Sequence, residues 1–183
     1  MKDLNKNKQF IFIKDKIFYF IFILLILITA RLMPHPPNFS PIIATAIMGP
    51  LFFKDRIIGI FVPILALSIS DIFLGFHIYQ FVVYSSIIII SVFAPMALNN
   101  KKIFITAFIA SLWFFISTNF AVWLAWDYYP KTATGLIECY TLAIPFFQNT
   151  IISTLLFTIT ILLISNILNK SNLYLKFIIL KFK

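Results

Sequence analysis

Long apolar runs, separated by short clusters of lysine and arginine, dominate this chain of 183 residues. A helix needs roughly 17–25 mainly apolar residues to cross a bilayer. Residues 17–32, 57–76, 78–98, 103–126 and 142–168 meet or approach that length. The run over 42–53 is shorter. Pro41 bounds it, Pro50 interrupts it, and Lys54-Asp55-Arg56 closes it. It reads as a short tilted span or a broken one, because proline in such a helix leaves carbonyls for neighbours to satisfy. Pro63 inside the third run predicts a kink. With 61% hydrophobic residues, the chain carries more apolar surface than a soluble fold of this length can hide. The expected class is an all-α integral membrane protein, a bundle of six transmembrane helices.

The basic residues orient that bundle. If all six runs cross, thirteen of the fifteen Lys and Arg residues fall on one side. Lys2, Lys6, Lys8, Lys14 and Lys16 precede the first run. Lys54 and Arg56 follow the second, and Lys101 and Lys102 the fourth. Lys170, Lys176, Lys181 and Lys183 follow the sixth. The other side holds only Arg31 and Lys131. The positive-inside rule then places both termini in the cytoplasm of a multi-pass protein of the bacterial inner membrane. A five-span reading without 42–53 swaps the later loops and destroys this sorting.

The chain therefore divides into a basic cytoplasmic tail over 1–16, a single transmembrane domain over 17–168, and a basic cytoplasmic tail over 169–183. From residue 172 the last tail alternates Leu, Phe and Ile with Lys, which suits an amphipathic segment on the inner leaflet. Topology and contact with anionic lipid account for the net charge of +9, so no nucleic-acid partner is invoked. The first run is followed by Arg31 and prolines rather than a small-x-small site, and reads as a span rather than a cleaved leader.

With this orientation, the polar residues gather toward the outer ends of the runs. Arg31, His35 and Asn38 lie at or after the exit of the first. Asp71 and His77 close the third, Asn119 and Asp127 lie in the outer part and end of the fifth, and Gln148 and Asn149 lie early in the sixth. Ionisable groups near lipid are costly and usually face protein or water. The pattern predicts a polar cavity or cap open to the outer side. Asn119 and Asn149 are deep enough to need partners, and a hydrogen bond between them is one solution. Trp123, Trp126, Tyr128 and Tyr129 read first as an interfacial aromatic belt, and second as rings that cover a ligand.

The densest signal is Arg31-Leu32-Met33-Pro34-His35-Pro36-Pro37-Asn38-Phe39-Ser40-Pro41. Its four prolines fix φ and push preceding residues toward extended geometry. A stiff extended cap follows, with Arg31, His35 and Asn38 at a mouth between the first two runs. It serves as a lid or ligand wall, or as a compact turn in which Arg31 caps a helix end. In the longest outer loop, a short helix is expected from Thr132 to Tyr140. Cys139 is a weak candidate metal or cobalt ligand, as are His35 and His77. One cysteine forms no intrachain disulfide. No nucleotide-binding loop, H-E-x-x-H or G-x-S-x-G is present, and no nucleophile–base pair is visible, so an enzyme is not expected and no cofactor is assigned.

These residues resemble a known pattern. The 31–41 block, Asp71-Ile72-Phe73-Leu74-Gly75-Phe76-His77, the Tyr129-Pro130-Lys131-Thr132 turn with Gly135 and Cys139-Tyr140, and Ile144-Pro145-Phe146-Phe147-Gln148-Asn149-Thr150 look like a bacterial family of uncharacterised small membrane proteins (DUF6580-like) bearing an R-x-x-P-H-P-P-N-F-[ST]-P segment. That family is similar in size and topology to the substrate-binding S components of energy-coupling factor (ECF) vitamin transporters. The resemblance implies a six-helix bundle that takes a vitamin-like molecule from outside and releases it inside by toppling, with an ECF ATPase module as partner. An A-x-x-x-A pair for docking such a module is missing from 17–32. Docking then uses another surface, or the protein works alone like solitary cobalamin-type S components.

The expected site comprises Arg31, His35, Asn38, Asp71, His77, Asn119, Trp123, Tyr128 and Asn149. Arg31 is expected to hold a negative group of the small-molecule substrate. The rival reading is a structural, partner-binding membrane protein similar to small cell-shape proteins.

Overall fold

In the computed structural model, residues 17, 20–53, 55–97 and 102–181 are described, and every regular element among them is a helix. The helices are α1 (Phe20–Leu32), α2 (Ile42–Phe52), α3 (Arg56–Leu74), α4 (Gln80–Ala97), α5 (Ile103–Ala125), α6 (Ala133–Leu142) and α7 (Ile144–Lys181). The basic tail over 1–16, Lys54, residues 98–101 and the side chains from 168 onward lie outside the described residues.

Three stretches are long and apolar enough to cross a membrane: Arg56–Leu74, Ile103–Ala125 and Ile144–Ile167. Phe20–Leu32, Ile42–Phe52 and Gln80–Ala94 are shorter apolar helices. The outer faces carry bare apolar side chains, among them Phe61, Ile72, Phe73, Phe93, Ile105 and Ile109. The interior holds Ser70, Ser86, Ser91, Ser111, Thr154 and Thr158, all buried. Small hydroxyl residues inside and bulky apolar residues outside form the pattern of helices packed in lipid. The chain is an all-helical membrane protein.

The direction of each helix follows from contacts at its ends. At one end, Arg31 near the close of α1 pairs with Asp71 near the close of α3, and Asp71 accepts from Gln80 at the start of α4. Tyr79 packs on Trp126 just past α5. Asn149 in the second turn of α7 donates to the Pro37 carbonyl, before α2. At the opposite end, Phe20 meets Phe53, Gly49 meets Gly59, and Arg56 donates to the Val92 carbonyl at 3.2 Å. Thus α1, α3 and α5 run toward the first end, while α2, α4 and α7 run away from it.

The second run differs most from expectation. Ile42 to Pro50 are all buried, because α2 sits inside the bundle against α3, α4, α5 and α7. A helix apolar on every side belongs in such a position. Its 11 residues span about 16 Å, roughly half of the hydrocarbon thickness. Its approach to α3 depends on glycine. A Cβ on Gly59 would lie 2.2 Å from the Pro50 nitrogen, and one on Gly49 would lie 2.9 Å from the Gly59 carbonyl oxygen.

Local signals set the other boundaries. The Asp55 carboxylate accepts from the Ile57 and Ile58 amides at 3.1 and 3.2 Å, which starts α3. α3 continues through Pro63 and stops at Gly75, whose φ of 91° few side chains tolerate. The expected loop helix forms as α6, with Thr132 accepting from the Gly135 amide at 3.2 Å. The final tail continues the last helix. α7 runs unbroken for 38 residues, about 57 Å at the ordinary rise, and so outlasts any bilayer core.

Because α2 and α3 touch backbone to backbone, Gly59→Ala should cost about 1–3 kcal/mol as overpacking. Thermal unfolding of the detergent-purified protein should show a lower midpoint. An unchanged midpoint would mean that the two helices are not held this closely.

Candidate functional site

The mouth is organised by a buried ion pair. Arg31 Nη2 lies 2.5 Å from Asp71 Oδ1, and the Asp71 side chain is 3% exposed. The second carboxylate oxygen accepts from Gln80 Nε2 at 2.6 Å and from the Tyr84 hydroxyl at 2.9 Å. Gln80 Nε2 also reaches the Tyr84 hydroxyl at 3.2 Å, and Gln80 Oε1 receives the His77 amide. Four residues thereby join α1, α3 and α4 at one end of the bundle. A buried carboxylate is tolerable with this many donors. Arg31 reaches Asp71 rather than capping its own helix end. The pair uses its Nη2, while Nε has no partner in the protein and Arg31 also lines the cavity below the 31–41 block.

The 31–41 block closes the mouth, and its middle is a turn rather than a continuous extended strip. The Phe39 amide donates to the Pro36 carbonyl at 3.0 Å, and Asn38 has φ of 62°. Pro37 and Asn38 fill the corner positions that a type II turn gives to proline and asparagine. Asn149 Nδ2 holds this turn through the Pro37 carbonyl at 3.0 Å. Phe39 packs edge-on against Phe157, a little over two turns farther along α7 than Asn149.

Below the turn lies a cavity of about 390 Å³. Arg31, His35, Asn38 and Ser40 form its polar upper wall, and Leu67, Ile87, Phe114 and Thr150 reach it from α3, α4, α5 and α7. A few polar groups above an apolar floor make a common ligand-site pattern. A second hollow of about 400 Å³ lies among α1, α2 and α7 and is apolar, lined by Phe22, Ile26, Phe52 and Ile161. Its hydroxyls, on Thr45 and Thr160, are turned onto the Pro41 and Leu156 carbonyls. That groove offers nothing to orient a polar ligand.

The residues expected at the site therefore separate. Arg31, His35 and Asn38 line the cavity, Asp71 anchors Arg31, and Asn149 braces the turn. His77 stands beside this network, with its ring against Tyr79. Burial pushes the His77 imidazole below its ordinary 6.5, while Asp71 acts upward and Arg31 downward.

Asn119, Trp123 and Tyr128 lie elsewhere. Asn119 donates to the Phe115 carbonyl of its own helix at 2.8 Å, so it does not pair with Asn149. Trp123 Nε1 donates to the Pro130 carbonyl at 2.9 Å, and Lys131 bonds the Trp123 and Trp126 carbonyls at the end of α5. Tyr128 is exposed and edges Trp126. These contacts build the α5–α6 connection. Gly135 is required there, since a Cβ would meet the Pro130 carbonyl oxygen at 2.1 Å. Cys139 is buried, directs its thiol to the Asn119 carbonyl at 3.5 Å, and has its pKa raised by that burial. Among the described residues, no three His, Cys, Asp or Glu side chains gather as a metal-holding group.

Sequence reasoning missed Gln80, Tyr84, Ser40 and Thr150. Gln80 and Tyr84 are four apart and so share a face of α4, which was the available signal.

An α-helical membrane bundle with a partly polar cavity at one end is the class that these features define. The chain belongs to the family of unknown function DUF6580, which matches residues 12–176. No curated protein and no solved structure matches it.

Removing one member of the ion pair leaves the other buried and uncompensated. Asp71→Leu should destabilise by about 3–5 kcal/mol, and the double variant Arg31→Met with Asp71→Leu should recover most of that loss. Unfolding of the single and double variants measures this. Additive losses would show that the two charges do not depend on each other.

Proposed function

We propose that the protein is the substrate-binding component of a membrane uptake system, taking a small organic molecule into the mouth cavity. The observation that carries this reading is the cavity itself, walled by the proline-rich 31–41 block and lined from six helices, α1 to α5 and α7. Its volume lies within the range of ligand sites. In this reading the six alternating helices all cross the bilayer of a bacterial inner membrane, both termini are cytoplasmic, and the mouth faces outward. α2 completes its crossing with the turn segment before it. The likeness to ECF S components then extends to a vitamin-like ligand and to a separate ATPase module as the source of energy. The ligand's apolar body rests on Leu67, Ile87 and Phe114, and its polar edge faces His35, Asn38 and Ser40. Catalysis has no role in this account.

A second reading has one observation behind it. Trp126 and Tyr128 stand exposed on the α5–α6 connection, where a partner protein could dock, as in a structural membrane protein.

The two are separated by one experiment. Native mass spectrometry of gently purified protein should find a retained small molecule. Adding that compound should raise the thermal midpoint, and His35→Ala, at an exposed position, should abolish the shift while leaving the unliganded midpoint unchanged. A protein copurifying through the α5–α6 connection, with no small molecule retained, would refute the uptake reading.

A further inference from the structure

The Arg31–Asp71 pair is neutral as a whole but lopsided. Asp71 is the satisfied partner. Its side chain is 3% exposed, and its oxygens accept from Arg31, Gln80 and Tyr84. Arg31 is not satisfied. A guanidinium carries several N–H donors. Among the described residues, that of Arg31 makes one hydrogen bond, from Nη2 to Asp71. Its Nε is buried without a partner, while the side chain as a whole remains 20% exposed. Unmet donors on a charged group are costly away from water, so they call for an explanation.

The cavity meets the unsatisfied end of the pair. Arg31 lines it and Asp71 does not. The dipole of the pair therefore turns its positive end toward the cavity. Among the described residues that line it, there is no Lys, no second Arg and no Asp or Glu. His35 adds no fixed cation. Its Nδ1 lies 2.8 Å from the Pro36 carbonyl oxygen, which only accepts. Nδ1 therefore carries the proton, and the neutral ring offers Nε2 as an acceptor. Asn38 and Ser40 can donate or accept. A cationic ligand finds no carboxylate here, and a dianion such as phosphate finds one cation where it needs more.

We infer that the cavity takes a small monocarboxylate, whose oxygens meet the donors that Arg31 leaves unused. A carboxylate is the planar acceptor that a guanidinium fork matches, and the bonds between them are charge-assisted. Binding does not require Arg31 to leave Asp71, because that contact uses Nη2 and the carboxylate of Asp71 is shared with Gln80 and Tyr84. Asp71 is then a positioning residue. It holds the guanidinium at the cavity wall and offsets its charge when the cavity is empty. The apolar body of the acid lies on Leu67, Ile87 and Phe114. This inference rests on the mouth being the binding site, and it adds the chemical class of the ligand and the residue that selects it.

Isothermal titration of the protein in an uncharged detergent tests it, with benzoate, phenylacetate and hexanoate each compared with its primary amide. The acids should bind at least about tenfold more tightly than their amides, since a charge-assisted hydrogen bond is roughly twice as strong as a neutral one. The double variant Arg31→Met with Asp71→Leu should lose that preference. Arg31→Lys keeps a cation beside Asp71 without the remaining guanidinium donors; it should lose the preference too, and it serves if the double variant folds poorly. Equal affinities for acid and amide in the unaltered protein would overturn the carboxylate class. If His35→Ala then abolishes both, the cavity stands as a binding site and this inference alone falls. A preference that survives the double variant would also overturn it, because Arg31 would not be its source. The molecule retained on gentle purification decides the same question: a carboxylic acid is expected, and a compound without that group overturns the inference. No binding by any probe, together with no retained molecule, would remove the uptake reading as well.

Discussion

The bundle's mouth depends on one charge being met by another inside an apolar protein. Arg31 and Asp71 are forty residues apart in sequence, on α1 and α3, and their contact at 2.5 Å sets the relative height of those helices. The desolvation cost of such a pair is large, and it is offset only if the remaining polar atoms are also bonded. Gln80 and Tyr84 do this for the carboxylate, which draws in the first turn of α4 and the helix face that follows it. The outcome is a rim in which the Arg31 and Asp71 charges offset each other, beside the proline-rich turn that Asn149 holds. Arg31 Nε has no partner, so the rim is not fully satisfied on its cationic side.

Small residues make the rest of the packing possible. Lipid supplies no hydrophobic drive for helices to associate, so close approach and hydrogen bonds must do so. Gly49 and Gly59 let α2 lie against α3 at backbone distance, and Ala44, Ala46, Ala66, Ala107 and Ala110 extend the tight core. With α2 enclosed on all sides, α3, α4, α5 and α7 converge around its first turn, and that convergence places their side chains around one cavity.

Much of this was legible in the residues and some was not. The apolar runs located the six alternating helices, and the loop helix expected over 132–140 forms as α6, because both are local effects. The 31–41 block marked the mouth because proline acts on its own backbone. The position of α2 at the centre was hidden: a short apolar helix with internal proline reads alike whether buried in protein or facing lipid. The partner of Asp71 was hidden because it depends on tertiary contact. Asn119, Trp123 and Tyr128 shared the expected depth with the mouth residues, yet depth says nothing of rotation about a helix axis. The tail from residue 172 alternates as an amphipathic segment does, and it continues α7 as far as Lys181.

The central claim is that the charge-neutral mouth opens outward from helices that alternate in direction. A membrane-impermeant maleimide applied to intact cells tests it, using His35→Cys at the mouth and Lys102→Cys at the opposite end in a Cys139→Ser background. The account predicts labelling at residue 35 in intact cells, and at residue 102 only after the membrane is permeabilised. Labelling of residue 102 from outside, or of both from the same side, would contradict it.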